Sequence, residues 1–323
     1  MTKQLFSKVV FALLIFGVSF TACRKRDLSP QDADLNQSTT DNATADGHFD
    51  DVSGMGSDVV NSQAPITARE DGGDDVALQG RYGCGATVTI SPVSNVTFNG
   101  TAMLLRTVSV DFGAGCTDQT NRRNRSGKMN MAIYIPSNTR TEFRRFWNMT
   151  PGSVVVTTFD NFFVDGRKIE GTHTVTNTTT VATNVTDITT VQPSHRIVVT
   201  DGKVTFPDAS VATHTSDRTR TWTRGFGTLD IYDDEFQISA SPNTTSSFSG
   251  TNRRGRTYTV VITSPLVLKT ACWRNQVFKP VQGILTVTSN NKTATTDYGN
   301  GNCDNTVTIT FNGRSYTIDP RSN

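Results

Sequence analysis

The stretch T-V-T-I-T-F-N-G-R, at residues 306–314, decides how this chain folds. Val307, Ile309 and Phe311 alternate with threonines, the period of a strand whose successive side chains face opposite sides. Asn312-Gly313 follows, and Asn-Gly signals a two-residue hairpin, because a type I′ turn needs positive φ at both central positions. The same texture extends backward to about Leu78. Residues 86–90, 154–159 and 257–262 alternate apolar side chains with threonine, a composition that suits a pleated surface. A glycine followed by a base recurs at Gly127-Lys128, Gly166-Arg167, Gly202-Lys203 and Gly255-Arg256, each read as a hairpin turn. The expectation is an all-β body over residues 78–323, an antiparallel, hairpin-rich meander forming one sheet or an open sandwich.

Part of that body repeats. V-D-F-G-A-G-C at residues 110–116 and T-D-Y-G-N-G-N-C at residues 296–303 share an Asp-aromatic-Gly turn leading to a cysteine. Sixteen residues after Asp111 and Asp297 come Gly127 and Gly313. D-F-G also occurs in protein kinases, but no H-R-D loop or glycine-rich nucleotide loop accompanies it, so the motif reads as architecture used twice. The expected disulfides are Cys84–Cys116 and Cys272–Cys303, whose separations of 32 and 31 residues match. Zinc needs closely paired ligands, and these cysteines stand alone, so no metal is expected.

The other end of the chain reads as an export signal. Lys3 and Lys8 precede an uncharged apolar run at residues 9–20, too short to span a bilayer. F-T-A-C at residues 20–23 resembles a lipoprotein lipobox, with Phe20 where leucine is usual. The resemblance implies cleavage after residue 22, thioether lipidation of Cys23 and acylation of the new N-terminus. Several acyl chains anchor stably. Arg24, where aspartate would retain a lipoprotein in the inner membrane, implies the outer membrane of a Gram-negative bacterium.

Between signal and body the composition turns acidic. Residues 27–75 hold twelve acidic side chains and one base, Arg69, whereas residues 76–323 hold 25 bases and 17 acids. Residues 23–77 show no periodic apolar pattern and read as a disordered tether behind the lipidated cysteine.

Catalytic chemistry is poorly represented. The four histidines, His48, His173, His195 and His214, lie near no nucleophile motif and read as surface residues. The densest carboxylate cluster, Asp230 with Asp233, Asp234 and Glu235, reads as a solvated turn; glycoside hydrolysis would need two carboxylates facing across a groove. The clearest binding feature is R-T-R-T-W-T-R at residues 218–224. Its period of two places Arg218, Arg220, Trp222 and Arg224 on one face, able to hold an anionic glycan with the indole stacked on a sugar ring. Because neither face of this strand is aliphatic, an extended sheet partly wet on both faces is expected. Nucleic acid is not expected as a partner of an exported, tethered protein, and no cofactor is expected.

Several strings together, T-T-F-D-N-F-F-V-D-G-R-K-I-E-G-T-H-T-V-T-N at residues 157–177, V-T-F-P-D at 204–208 and T-T-D-Y-G-N-G-N-C-D-N from 295, resemble an uncharacterised family of exported lipoproteins of the Bacteroidota. That likeness implies an anchored all-β body and carries no activity. The functional expectation is a non-enzymatic outer-membrane lipoprotein serving envelope structure or ligand binding. Its alternatives are a carbohydrate-active enzyme and a lipid-carrying half-barrel, the latter requiring a continuous apolar concave face.

Overall fold

The computed structural model describes residues 30–62, 85–117, 123–138, 150–181, 191–226, 228, 232–242, 244–275, 277, 279–304 and 306–318. One helix, α1 (Pro30–Ser62), precedes the strands β1 (Thr87–Ile90), β2 (Ser94–Phe98), β3 (Thr101–Asp111), β4 (Cys116–Thr117), β5 (Asn124–Pro136), β6 (Val154–Val164), β7 (Arg167–Asn177) and β8 (Ser194–Thr205). There follow β9 (Val211–Arg224), β10 (Glu235–Ala240), β11 (Phe248–Thr251), β12 (Thr257–Lys269), β13 (Gln282–Ser289), β14 (Lys292–Asn300), β15 (Val307–Phe311) and β16 (Arg314–Ile318). All belong to one antiparallel sheet in the order β1-β3-β5-β6-β7-β8-β9-β10-β12-β13-β14-β15-β16. The two short strands β10 and β11 share the gap between β9 and β12, each pairing with both. The all-β expectation holds, as a meander.

Turn chemistry explains much of the register. Asp165-Gly166 joins β6 to β7 and Asn312-Gly313 joins β15 to β16, with φ of 50° and 74°, then 49° and 70°, the doubly positive pattern of a type I′ hairpin. Gly127 and Gly202 are not hairpin residues, contrary to the sequence reading. Gly127 lies inside β5 opposite an extra residue in β6, where a Cβ would stand 1.9 Å from the Asn161 carbonyl oxygen. Gly202 lies inside β8 beside a bulge at Asp201, where a Cβ would stand 2.3 Å from the His214 carbonyl oxygen. Bulges of this kind bend a sheet and increase its twist.

The two Asp-aromatic-Gly turns share their geometry. Asp111 Oδ1 accepts the Gly113 N–H at 2.8 Å, and Asp297 Oδ1 accepts the Gly299 N–H at 2.8 Å. The step to a hairpin glycine is not shared, because Gly313 makes a hairpin and Gly127 a close strand approach. Cys272 and Cys303 form a disulfide with Cα atoms 4.9 Å apart. Cys116 is buried, and Cys84, its expected partner, lies outside the described residues.

The largest correction concerns the acidic segment, expected to be a disordered tether. Residues 30–62 form α1, which lies along one face of the sheet. Ser38 Oγ is 3.0 Å from Ser289 Oγ on β13, and the Phe49 ring stacks 6.4 Å from His173 on β7. Eleven helical residues advance about 16 Å. The five strand spacings from β13 through β12, β11, β9 and β8 to β7 cover about 24 Å along the sheet. The sheet therefore wraps around the helix, concave toward it. Its two apolar clusters meet α1 separately: Phe49, Val52 and Met55 pack with Val110, Met129, Phe162 and Ile197, while Leu35 packs with Phe248, Tyr258 and Val260.

Candidate functional site: the concave face beneath the acidic helix

The helix has little intrinsic reason to form. Asn, Asp, Thr and Gly dominate it, all weak helix formers. Ser38, Thr39, Thr40 and Thr44 satisfy their hydroxyls on the carbonyl four residues back. Docking must supply what propensity does not. The buried stripe, Leu35, Ser38, Asn42, Ala45, Phe49 and Val52, steps by three and four residues, but half of it is polar or merely small. That is why a search for apolar periodicity passes over it.

The body meets this stripe with bases. Asn252, in the turn between β11 and β12, donates its amide to the Asp34 carbonyl and to Ser38 Oγ. Around that seat Arg254 and Arg256 pair with Asp34, and Arg253 donates its backbone N–H at 2.7 Å and Nε at 2.8 Å to Asp41. Further along, Arg218 on β9 reaches Asp46 at 2.6 Å and Asp50 with its other terminal nitrogen. Arg125 on β5 holds both oxygens of Asp51, at 2.9 and 2.8 Å. Lys292 on β14 lies 3.5 Å from Asp32 at the opposite end. Among the described residues, the carboxylates of the acidic helix are thus met by bases of the body, some buried and some at its rim.

Between these pairs sits an aromatic anchor. The Phe49 ring stacks 5.7 Å from His214 and 6.4 Å from His173, its edge over Gly202, where a Cβ would come within 3.2 Å of the ring. The missing side chain of Gly202 makes the hole that Phe49 fills. All four histidines, expected at the surface, are buried: His48 on the helix, His173, His195 and His214 on the inner face. Burial, and then the nearby arginines, hold His48, His173 and His214 neutral, with pKa values lowered to about 3. Burial pushes the Asp46 carboxyl up to about 7 against the opposing pull of Arg218, with Asp50 adding to the rise. For Arg218, burial disfavours the charge, but Asp46 and Asp50 outweigh it and the pKa rises.

The four residues singled out as a cationic stripe do share the inner face, but they divide by role. Arg218 is fully buried and occupied by two carboxylates. Arg220 and Trp222 are half-buried, and Arg224 is exposed at the end of β9. Arg220 packs its guanidinium 5.4 Å from the Phe236 ring, and Trp222 stands 5.4 Å from the same ring. The inner face of this strand is thus dry at Arg218, which α1 covers, and wet only toward Arg224. Cys23 and Asp230 lie outside the described residues. Of the acidic cluster, Asp233 accepts the Thr228 hydroxyl, and Glu235 pairs in register with Arg224 and Lys269. Among the described residues no group of three His, Cys, Asp or Glu side chains is placed to hold a metal ion.

No protein-family model, curated protein or solved structure matches the chain.

Proposed function

We propose that this protein is a non-enzymatic, lipid-anchored outer-membrane lipoprotein whose β-rich body is strapped to its anchor by α1 and offers the open end of its concave face to a ligand, an anionic glycan being the class that fits. The observation that carries this reading is the ion-paired seating of α1. Only six residues separate Cys23 from Pro30, so the body stands close to the lipid surface, within about 25 Å of extended chain. Arg24, Lys25 and Arg26, next to Cys23, suit anionic head groups. With most inward charge already neutralised by α1, ligand capture falls to Arg220, Trp222 and Arg224.

The test is fractionation of cells expressing the wild type and Cys23→Ser. The wild type should remain with outer membranes, and Cys23→Ser should be released; retention of the variant refutes the anchor. A glycan array with the released body then tests ligand binding, and an array with no anionic hit refutes that part. The lipid-carrier half-barrel is favoured by one observation, the wrapping of the sheet around α1. Against it stands the inner face itself, where His173, His214, Arg218 and Arg125 interrupt the apolar surface that acyl chains require.

A further inference from the structure

Along β9 the inner-face side chains emerge gradually from beneath α1: Arg218 buried, Arg220 and Trp222 half-buried, Arg224 exposed. The charge pairing stops before the exposure begins. Arg218 holds Asp46 and Asp50, whereas no carboxylate pairs with Arg220 among the described residues. Arg220 Nε and Trp222 Nε1 are both buried donors without a hydrogen-bond partner among the described residues. Arg218 Nε on the same strand is also unpartnered, but its terminal nitrogens hold two carboxylates, and Arg220 has none among the described residues.

The surroundings narrow what would satisfy them. Two residues apart on one strand, the donors sit about 7 Å apart along the backbone. Phe236, opposite Trp222 in register, contacts both side chains, and Phe226 meets the indole edge-on at 6.5 Å. The cluster thus offers one guanidinium and one indole N–H against an aromatic wall. Burial lowers the pKa of Arg220, Asp50 opposes the fall and Arg218 adds to it, so an incoming anion would be favoured beside this guanidinium. Planar guanidinium and planar carboxylate pair well, and an aromatic wall takes the C–H face of a sugar ring.

We propose that Arg220, Trp222 and Phe236 form a subsite for a hexuronate residue, its carboxylate accepting hydrogen bonds from Arg220 and from the Trp222 indole, with its ring face against Phe236. This rests on the ligand-binding reading above and narrows it. The site also gives the split of the stripe a reason: Arg218 fastens the helix, and Arg220 remains for the ligand.

The experiment titrates the mature full chain with a tetragalacturonate, its methyl ester and a sulfated tetrasaccharide, reading calorimetry and the indole N–H resonance that Trp222→Phe removes. The acid should bind, shift that resonance, and bind at least tenfold more tightly than the ester. Arg220→Met and Trp222→Phe should each weaken binding about tenfold or more, with Trp222→Phe keeping the aromatic wall should Arg220→Met fold poorly. Equal binding of acid and ester, binding unchanged in both variants, or no binding of the acid overturns the subsite. Tighter binding of the sulfated sugar overturns the carboxylate assignment. A different anionic hit on the array would sink this subsite and leave the ligand-binding reading standing, whereas an array without anionic hits would sink both.

Discussion

Replacing Arg218 by alanine strips the partner from two helix carboxylates at once. Arg218 is fully buried, with Asp46 and Asp50 on its terminal nitrogens and the Phe248 ring 5.4 Å from its guanidinium carbon. Breaking a buried pair by removing one side costs about 3–5 kcal/mol, because the remaining charge is left uncompensated in a poorly solvating place. Here two carboxylates remain on one helix face, but Asp50 is 38% exposed and keeps part of its hydration, so the loss should lie at the lower end. Two escapes limit it: Asp46, with its pKa already near 7, can take up a proton, and α1 can lift away. Helix release is the cheaper escape, since α1 has weak intrinsic propensity. The assay is therefore twofold, thermal unfolding of the body and hydrogen exchange of the α1 amides. Arg218→Ala should accelerate α1 exchange by about two orders of magnitude or more, as a few kcal/mol of lost docking requires, with a smaller drop in Tm. The triple variant Arg218→Met, Asp46→Asn, Asp50→Asn should recover most of the protection, because apolar or neutral replacement of a whole buried ion cluster is often neutral. Unchanged α1 exchange in Arg218→Ala refutes the strap. A triple variant no better than the single one refutes the electrostatic account of the loss.

Phe49→Ala should cost about 3–5 kcal/mol of helix docking, from lost burial and the cavity left over Gly202; the same exchange measurement checks it, and a change below about 1 kcal/mol would show that the ring is not the anchor. Acid should loosen the docked state. His48, His173 and His214 have folded pKa values near 3 against 6.5 unfolded, so the stability they contribute is present above pH 6.5 and is lost as pH falls toward 3. Asp46 acts oppositely: its folded pKa near 7 lies above 3.8, so it adds stability as pH falls from 7 to 4. The groups facing these rings are Phe49 from α1, Phe248 from β11, Arg218 and Arg220 from β9, and Arg123, Arg125, Arg167 and Asp165 around His48. Three groups against one predict a lower Tm at pH 4.5 than at pH 7.5, measured by circular dichroism, and a flatter profile in His214→Phe, whose ring nitrogens have no partner to lose among the described residues. A Tm that rises on acidification would contradict the balance. Replacing Cys272 and Cys303 together by serine should cost about 4 kcal/mol in the chain-entropy view of a 31-residue loop; a denaturant midpoint equal to that of the wild type would show that the bridge adds nothing.

The strands were legible because their signal is local. Alternation in residues 306–311 and the Asn312-Gly313 turn need no distant information, and the hairpin they forecast is the one that forms. Gly127 and Gly202 carry the same glycine-base signature, yet they serve close contacts with Asn161 and His214 on neighbouring strands of the sheet, which no local pattern encodes. The acidic segment fails as a local signal for a deeper reason. Hydropathy asks whether a helix has an apolar face, and α1 instead has a stripe of Leu35, Ser38, Asn42, Ala45, Phe49 and Val52 bordered by aspartates. Its complement is spread over Arg125, Arg218 and residues 252–256, more than seventy positions away at the nearest. The opposite charges of the two regions are visible in composition, where they read separately as a disordered tether and a binding surface. They are better read as a pair. An acidic segment joined to a body with excess arginine on one strand face is itself a docking signal. Arg220, which pairs with no carboxylate among the described residues, then marks where the internal partner ends and an external one can begin.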